Sequence, residues 1–278
     1  MAAFDLLNSW PVPHRAAAVI SADGIDLHGE VDRSFRLASV SKLITAWAAL
    51  VAIEEGSIAL DDAAGPEGST VRHLLCHASG LPFDGAVPVT RPGRTRVYSN
   101  TGVEVLAAFI AERTGIGFDR YVVEAVTGPL GMASFEPVGS PAKGFRCTAR
   151  DLARFGAELL APTLLAPGTV AEATSPVFPE LSGVIPGLGR YSPNPWGLGP
   201  EIKGAKAPHW TAPANSPTTF GHFGGSGTFL WVDPAVGLSC LALANREFVE
   251  WAMDYWPAFS QAVLAEYTAA GGPSPTPA

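Results

Sequence analysis

Hydrophobic positions follow two different periods along the chain, and the changes of period divide it. Residues 16–21 are an apolar, strand-forming run. Residues 25–31 follow the turn pair Asp23-Gly24, which predicts an N-terminal hairpin. Residues 228–232 and 238–244 flank Asp233-Pro234-Ala235-Val236-Gly237 and predict a second hairpin with a longer loop. Between the hairpins, helical spacing dominates. Val40, Leu43, Ile44, Trp47, Leu50, Val51 and Ile53 recur at helical spacing, and Gly56 closes the run. Segments 101–114 (with Gly115 behind it), 148–160 and 249–269 repeat the form. Strands at both ends and helices between them predict an α+β chain. Its antiparallel sheet is built from both chain ends, with a helical region inserted. The expected divisions are 1–60 with 200–270 for the discontinuous sheet part, 61–199 for the helical part, and 271–278 (GGPSPTPA) as a flexible tail.

Composition narrows the function classes. At 278 residues, 47% hydrophobic and 16% charged, the chain can bury a sizeable core and is not disordered as a whole. Its longest apolar run, 43–53, is about half of the ~20 residues that span a bilayer, so no membrane association is expected. Acidic residues outnumber basic ones 26 to 18, for a net charge of −8, and no basic stripe occurs, which excludes a general nucleic-acid binder. The three cysteines, Cys76, Cys147 and Cys240, are too widely spaced for a CxxC site or a disulfide framework. The N-terminus has no basic segment leading into an apolar one, so the protein is expected to be cytoplasmic. Seven prolines fall between Pro186 and Pro217, which marks a long ordered loop of functional character.

Three segments bear chemistry. Two S-x-x-K matches occur, Ser39-Val40-Ser41-Lys42 and Ser140-Pro141-Ala142-Lys143. Gly139, Pro141 and Gly144 surround the second, where nothing would hold the two side chains on one face. The first opens the long apolar helix, where i and i+3 share a face. A serine hydroxyl is a poor nucleophile until a base takes its proton, and a lysine among Val40, Leu43, Ile44 and Trp47 is placed for partial desolvation. The first N–H groups of a helix are also free to stabilise an oxyanion. Tyr98, in Tyr98-Ser99-Asn100, could act as general base if a neighbouring lysine lowered its pKa, and Asn100 could orient a carbonyl or the amine. The third segment, His222-Phe223-Gly224-Gly225, enters the C-terminal hairpin, and its glycines suit close approach of a ligand.

Together these motifs make the sequence resemble the serine β-lactamase and penicillin-binding-protein superfamily, in particular its class C-like branch of esterases and D-aminopeptidase-like serine hydrolases. The three motifs occur in the family's order. The segments Val71-Arg72-His73-Leu74-Leu75-Cys76-His77-Ala78-Ser79-Gly80-Leu81 and Leu230-Trp231-Val232-Asp233-Pro234 also match its habit, so the likeness covers about 16–246. It implies a β-lactamase/transpeptidase-like fold and an acyl-enzyme on Ser39. Lys42 and Tyr98 would share the base role. Asn100, His222, Gly224 and Gly225 would bind substrate or form the oxyanion hole, with N–H groups of Ser39 and Gly225 as donors. No metal and no cofactor is implied.

His222 and Phe223 depart from the lysine and hydroxyl that β-lactamases and cell-wall peptidases usually carry there, which implies a weaker grip on anionic substrates. The expected activity is hydrolysis of small esters or amides. The alternatives are a β-lactamase or D-alanyl peptidase, an acyltransferase using the same site, and a non-catalytic binder. His73 and His77, at i and i+4, lack the glutamate of a zinc helix. Trp251, Tyr255, Trp256 and Phe259 are expected to pack a core. Arg91, Arg94 and Arg96 are expected in a solvated loop. Oligomeric state is not legible.

Overall fold

A computed structural model gives the chain's structure and describes residues 2–270; the expected tail, 271–278, lies outside the described residues. In chain order the elements are β1 (Arg15–Ser21), β2 (Gly24–Gly29), β3 (Phe35–Arg36), α1 (Ser41–Glu54), α2 (Val71–Leu75), β4 (Arg96–Val97), α3 (Asn100–Thr114), α4 (Phe118–Val122), β5 (Arg146–Cys147), α5 (Ala149–Leu160) and α6 (Pro167–Ala173). They continue with β6 (Gly183–Ile185), β7 (Gly189–Tyr191), β8 (Glu201–Ile202), β9 (Phe220–Gly224), β10 (Thr228–Asp233), β11 (Leu238–Ala244) and α7 (Ala252–Ala270). The main sheet has the order β2-β1-β11-β10-β9-β8 and every pairing in it is antiparallel. Both ends of the chain therefore meet in one sheet, as the two hairpin patterns predict.

The N-terminal turn sits one residue earlier than expected. Ser21 pairs with Gly24, so Ala22 and Asp23 make the turn, and Gly24 closes it at a φ of +136°. In β1 five consecutive residues are buried, because both faces of the sheet are covered. Ala16, Ala18 and Ile20 join the core that contains α1 and α5. Ala17 and Val19 join the core that contains α7. The aromatic residues of the last segment pack there as expected: Trp251, Trp256 and Phe259 are buried, with Phe259 against Trp10 and Phe229. That helix starts at Ala252 rather than 249, behind a 3-10 turn.

The helix α1 runs through the protein with nearly every residue buried, which matches a helix apolar on all sides. Thr148 caps α5 by accepting from the Asp151 N–H, and Gly115 ends α3 at a φ of +70°. The proline-rich stretch is ordered around the buried Glu201 carboxylate. It accepts from Lys206 Nζ at 2.7 Å, His209 Nε2 at 3.1 Å and Trp210 Nε1 at 2.7 Å. Burial opposes its charge, but Lys206 and His209 keep it ionised below the usual carboxylate range.

Arg96 corrects the expectation of a solvated arginine patch. It is 3% exposed, and its guanidinium donates to the carbonyls of Cys76, Asn194, Val177 and Phe178. One side chain thus ties β4 to the α2 end and to the wall built by 177–194. Arg96→Met would leave the Cys76, Asn194 and Val177 carbonyls without this donor, while Phe178 keeps the Leu181 N–H, and should destabilise the protein by about 3–5 kcal/mol in urea unfolding.

Candidate active site

Ser39 lies in a 3-10 turn, Ala38–Val40, immediately ahead of α1 rather than on the α-helix itself. Its backbone is held by the sheet. The Arg36 carbonyl accepts from Ser226 Oγ at 2.8 Å, and the Leu37 carbonyl accepts from Thr228 Oγ1 at 2.9 Å. Ala38 takes a φ of +46°, a strained conformation that these anchors support. The turn also needs Gly224: a Cβ there would come within 2.5 Å of the Leu37 carbonyl oxygen and 2.9 Å of Ala38 Cβ. The third motif is therefore glycine at this position because strand β9 and the serine turn touch backbone to backbone.

Lys42 Nζ is 3.2 Å from Ser39 Oγ. The same nitrogen lies 2.7 Å from Asn100 Oδ1 and 2.9 Å from the Ala142 carbonyl. A neutral amine has two N–H bonds and one lone pair. With both hydrogens given to those acceptors, the lone pair faces the serine hydroxyl. Lys42 is 2% exposed, and burial pushes its pKa down to about 7, with the nearby Lys143 charge adding to the effect. The amine also sits 4.7 Å from the centre of the Tyr98 ring.

Tyr98 and Asn100 are placed by the start of α3. Ser99 caps that helix by accepting from the Gly102 N–H at 2.8 Å and donates to the Pro82 carbonyl at 2.6 Å. Asn100 is oriented from both sides, since its Nδ2 donates to Asp84 Oδ1 at 3.1 Å while its Oδ1 faces the lysine. His222 Nδ1 donates to the Phe223 carbonyl at 2.6 Å, which leaves Nε2 as an acceptor. The Tyr98 hydroxyl donates to that Nε2 at 3.3 Å. Burial, followed by the Lys42 charge, pushes the His222 pKa down to about 3, so the ring is neutral. For Tyr98 burial outweighs every neighbour and pushes the phenol upward. The expected lowering by the lysine charge does not occur, and the phenol keeps its proton.

Gly225 lies just beyond the end of β9, and together with Ser39, Phe83, Tyr98, Trp196, His222 and Phe248 it lines a cavity of about 110 Å³. Phe223 also lines it, but the ring is 7% exposed and rests on Trp210, Phe248 and Trp256. It replaces a hydroxyl without closing the cavity. All seven expected site residues thus fall around one cavity or directly behind it. The second S-x-x-K splits apart, with Ser140 on Glu104 and Lys143 on Asp84. Its Ala142 carbonyl nevertheless serves the first lysine, a contribution that no side-chain pattern reveals. Asp84, Trp196 and Phe83 were likewise missed, because nothing local marks them. His73 and His77 do not share a helix face, since α2 ends at Leu75. His77, at a φ of +58°, turns its ring onto Tyr98 and Trp196 and accepts from the Ser99 N–H.

A sheet covered on both faces, with a serine turn, a buried lysine, a tyrosine-asparagine pair and a glycine-bearing strand around one cavity, defines the β-lactamase/transpeptidase-like class of serine hydrolases and acyltransferases. The chain belongs to the Beta-lactamase family, whose model matches residues 30–263. It is 50% identical to a β-lactamase from Mycobacterium bovis of known crystal structure, over 96% of this chain and 100% of that one, with a TM-score of 0.95. Simvastatin synthase from Aspergillus terreus, at 20% identity over 96% of this chain and 97% of that one, has the same fold with a TM-score of 0.77. Penicillin-binding protein 4* of Bacillus subtilis (strain 168) is 28% identical over 35% of this chain and 29% of its own length. The chain therefore spans less than a third of that relative. Among the described residues, no helix is long and apolar enough to cross a membrane.

The depressed Lys42 pKa fixes a direction for stability. Between about 7 and 10.5 the unfolded chain holds the proton and the folded chain does not, so stability rises with pH across that window. The wild type should gain stability relative to Lys42→Met between those pH values in urea titrations, and a ¹³C-labelled Lys42 should titrate near 7 rather than 10.5 by NMR.

Proposed function

We propose that the protein is a serine hydrolase that cleaves small esters or amides through an acyl-enzyme on Ser39. The observation that carries this reading is the Lys42 amine, 3.2 Å from Ser39 Oγ with its other two positions taken by Asn100 Oδ1 and the Ala142 carbonyl. Neutral Lys42 takes the serine proton as Oγ attacks the carbonyl carbon. The N–H groups of Ser39 and Gly225 receive the oxyanion. Tyr98, protonated and held by His222, delivers a proton to the leaving oxygen or nitrogen and regains one from the lysine ammonium. Water then attacks the acyl-serine, Lys42 takes its proton, and that proton returns to Ser39 as the acid departs. The walls of the cavity, Phe83, Ile185, Pro186, Trp196 and Phe248, suit an apolar acyl group.

A β-lactamase activity is the second reading, supported by the 50% identity to the Mycobacterium bovis β-lactamase. Phe223 in place of a hydroxyl favours the ester reading. Acyl transfer remains open to the same acyl-enzyme if an acceptor alcohol or amine replaces water.

A fluorophosphonate should add once to the wild type, by intact mass, and not at all to Ser39→Ala; an unlabelled, folded wild type would refute the assignment. Hydrolysis of 4-nitrophenyl butyrate should rise with pH through about 7, as Lys42 loses its proton, and should exceed turnover of a chromogenic cephalosporin. A reversed order would favour the β-lactamase reading. Tyr98→Phe should lower kcat by about 10²-fold for an alkyl ester, which needs leaving-group protonation, and much less for the nitrophenyl ester.

A further inference from the structure

The second S-x-x-K forms no reaction centre of its own, but it borders the first. Lys42 Nζ donates to Asn100 Oδ1 at 2.7 Å, and Asn100 Nδ2 donates to Asp84 Oδ1 at 3.1 Å. Lys143 Nζ donates to the same Asp84 oxygen at 3.3 Å. Lys143 follows Ala142, whose carbonyl accepts from Lys42 Nζ at 2.9 Å. These contacts close a ring that starts and ends at the Lys42 amine. The segment that carries Lys143 is itself held in place. Thr45 Oγ1 donates to the Pro141 carbonyl at 2.8 Å, and Ser140 Oγ donates to Glu104 Oε1 at 2.5 Å.

The Asp84 and Lys143 side chains are 56% and 39% exposed. Surface pairs of this kind contribute little to stability, so folding does not account for this one. Its effect falls on Asn100. A side-chain amide has an oxygen acceptor at one end and two N–H donors at the other, and the ends are nearly equal in shape. An ionised carboxylate only accepts. Asp84 therefore holds the nitrogen end of Asn100, and the oxygen end is left for Lys42. With the amide reversed, an N–H would point at Lys42 Nζ and occupy the lone pair that faces Ser39 Oγ. The Asn100 N–H bond, against the opposing effect of burial and with help from Lys143, holds the Asp84 carboxyl below the usual carboxylate range. The negative charge of Asp84 favours the ammonium form of Lys42, and the positive charge of Lys143 favours the neutral form. Glu104, on α3, acts in the same direction as Asp84. Tyr98, His77 and His222 also lie near the amine, and burial keeps each of them uncharged.

We propose that Asp84 and Lys143 are positioning residues for the reaction: Asp84 fixes the direction of the Asn100 amide and so aims the Lys42 lone pair at Ser39, while Lys143 balances the Asp84 charge. Both roles rest on the acyl-enzyme reading. They give the lysine of the second S-x-x-K a part in the chemistry of the first.

The test follows kcat, and the pH dependence of kcat/KM, for 4-nitrophenyl butyrate at low salt in Asp84→Ala, Lys143→Gln and the double variant. Urea unfolding checks that each variant is folded. Asp84→Ala should lower kcat about tenfold, since the amide is free to reverse, and should move the acid limb of the profile down by about half a pH unit. Lys143→Gln should move that limb up by about half a unit, and molar salt should shrink the shift. In the double variant the limb should lie between those of the single variants while kcat stays low. A merely structural role would not move the limb in opposite directions. Unmoved limbs, or limbs that move the same way, would overturn the role of Lys143, and an unchanged kcat in Asp84→Ala would overturn that of Asp84. Either result, in a protein whose Ser39 accepts a fluorophosphonate, leaves the acyl-enzyme reading intact. If no ester is cleaved and Ser39 is not labelled, the acyl-enzyme reading fails. An NMR titration of ¹³C-labelled Lys42 then decides the ring by itself. Opposite shifts in the two single variants support it, and titrations that coincide with the wild type refute it.

Discussion

A lysine amine enclosed by the protein interior is the constraint around which the rest is arranged. An ammonium in that position would lose its hydration with no carboxylate in contact to replace it, so the fold drives Lys42 toward neutrality. It remains tolerable because two acceptors and one hydroxyl meet it. Those partners come from three parts of the chain: the turn ahead of α1, the start of α3, and the segment before β5. Each has its own anchor. Thr228 and Ser226 hold the serine turn, Ser99 caps α3 while Asp84 turns Asn100, and Thr45 Oγ1 donates to the Pro141 carbonyl next to Ala142. A single polarised hydroxyl thus depends on contacts spread over most of the fold.

The histidine and tyrosine behind it show how burial overrides proximity. A lysine 4.7 Å from a phenol ring suggests a phenol made more acidic. The opposite holds here, because Lys42, Tyr98 and His222 are buried deeply enough that each prefers to be uncharged. Tyr98 keeps its proton, His222 declines one, and Lys42 gives one up. The three shifts have one leading cause, burial, and they leave a neutral amine, a protonated phenol and an imidazole that accepts the phenol's hydrogen bond side by side.

Much of this was legible in the sequence where the signal was periodic or local. Both hairpins, the helix behind Ser39, the Gly115 end of α3 and the three motifs in order were all readable, since each is a short-range pattern. The resemblance to a known family then joined the motifs into one site. What escaped was what tertiary contact creates. Arg96 reads as part of a polar run and becomes a buried clamp because four carbonyls converge on it. The Ala142 carbonyl has no side chain to announce it. Asp84 and Trp196 acquire their roles only when distant loops close over the cavity. The proline-rich stretch was readable as ordered, but not the salt-linked Glu201 that orders it.

The central place of β1 has a consequence for the order of assembly. It pairs with β2 beside it and with β11 on its other edge, so Arg15 lies opposite Ala244. During synthesis the first hairpin must wait, one edge unpaired, until more than two hundred residues have followed. Closing so long a loop is slow, and the apolar strand offers a template for any other extended chain in the interval. Ser39 emerges early, but His222 and Gly224 arrive on a strand that docks only with that closure, and Gly225 follows it. A half-made molecule therefore holds a serine without its surroundings until the last strand enters the sheet.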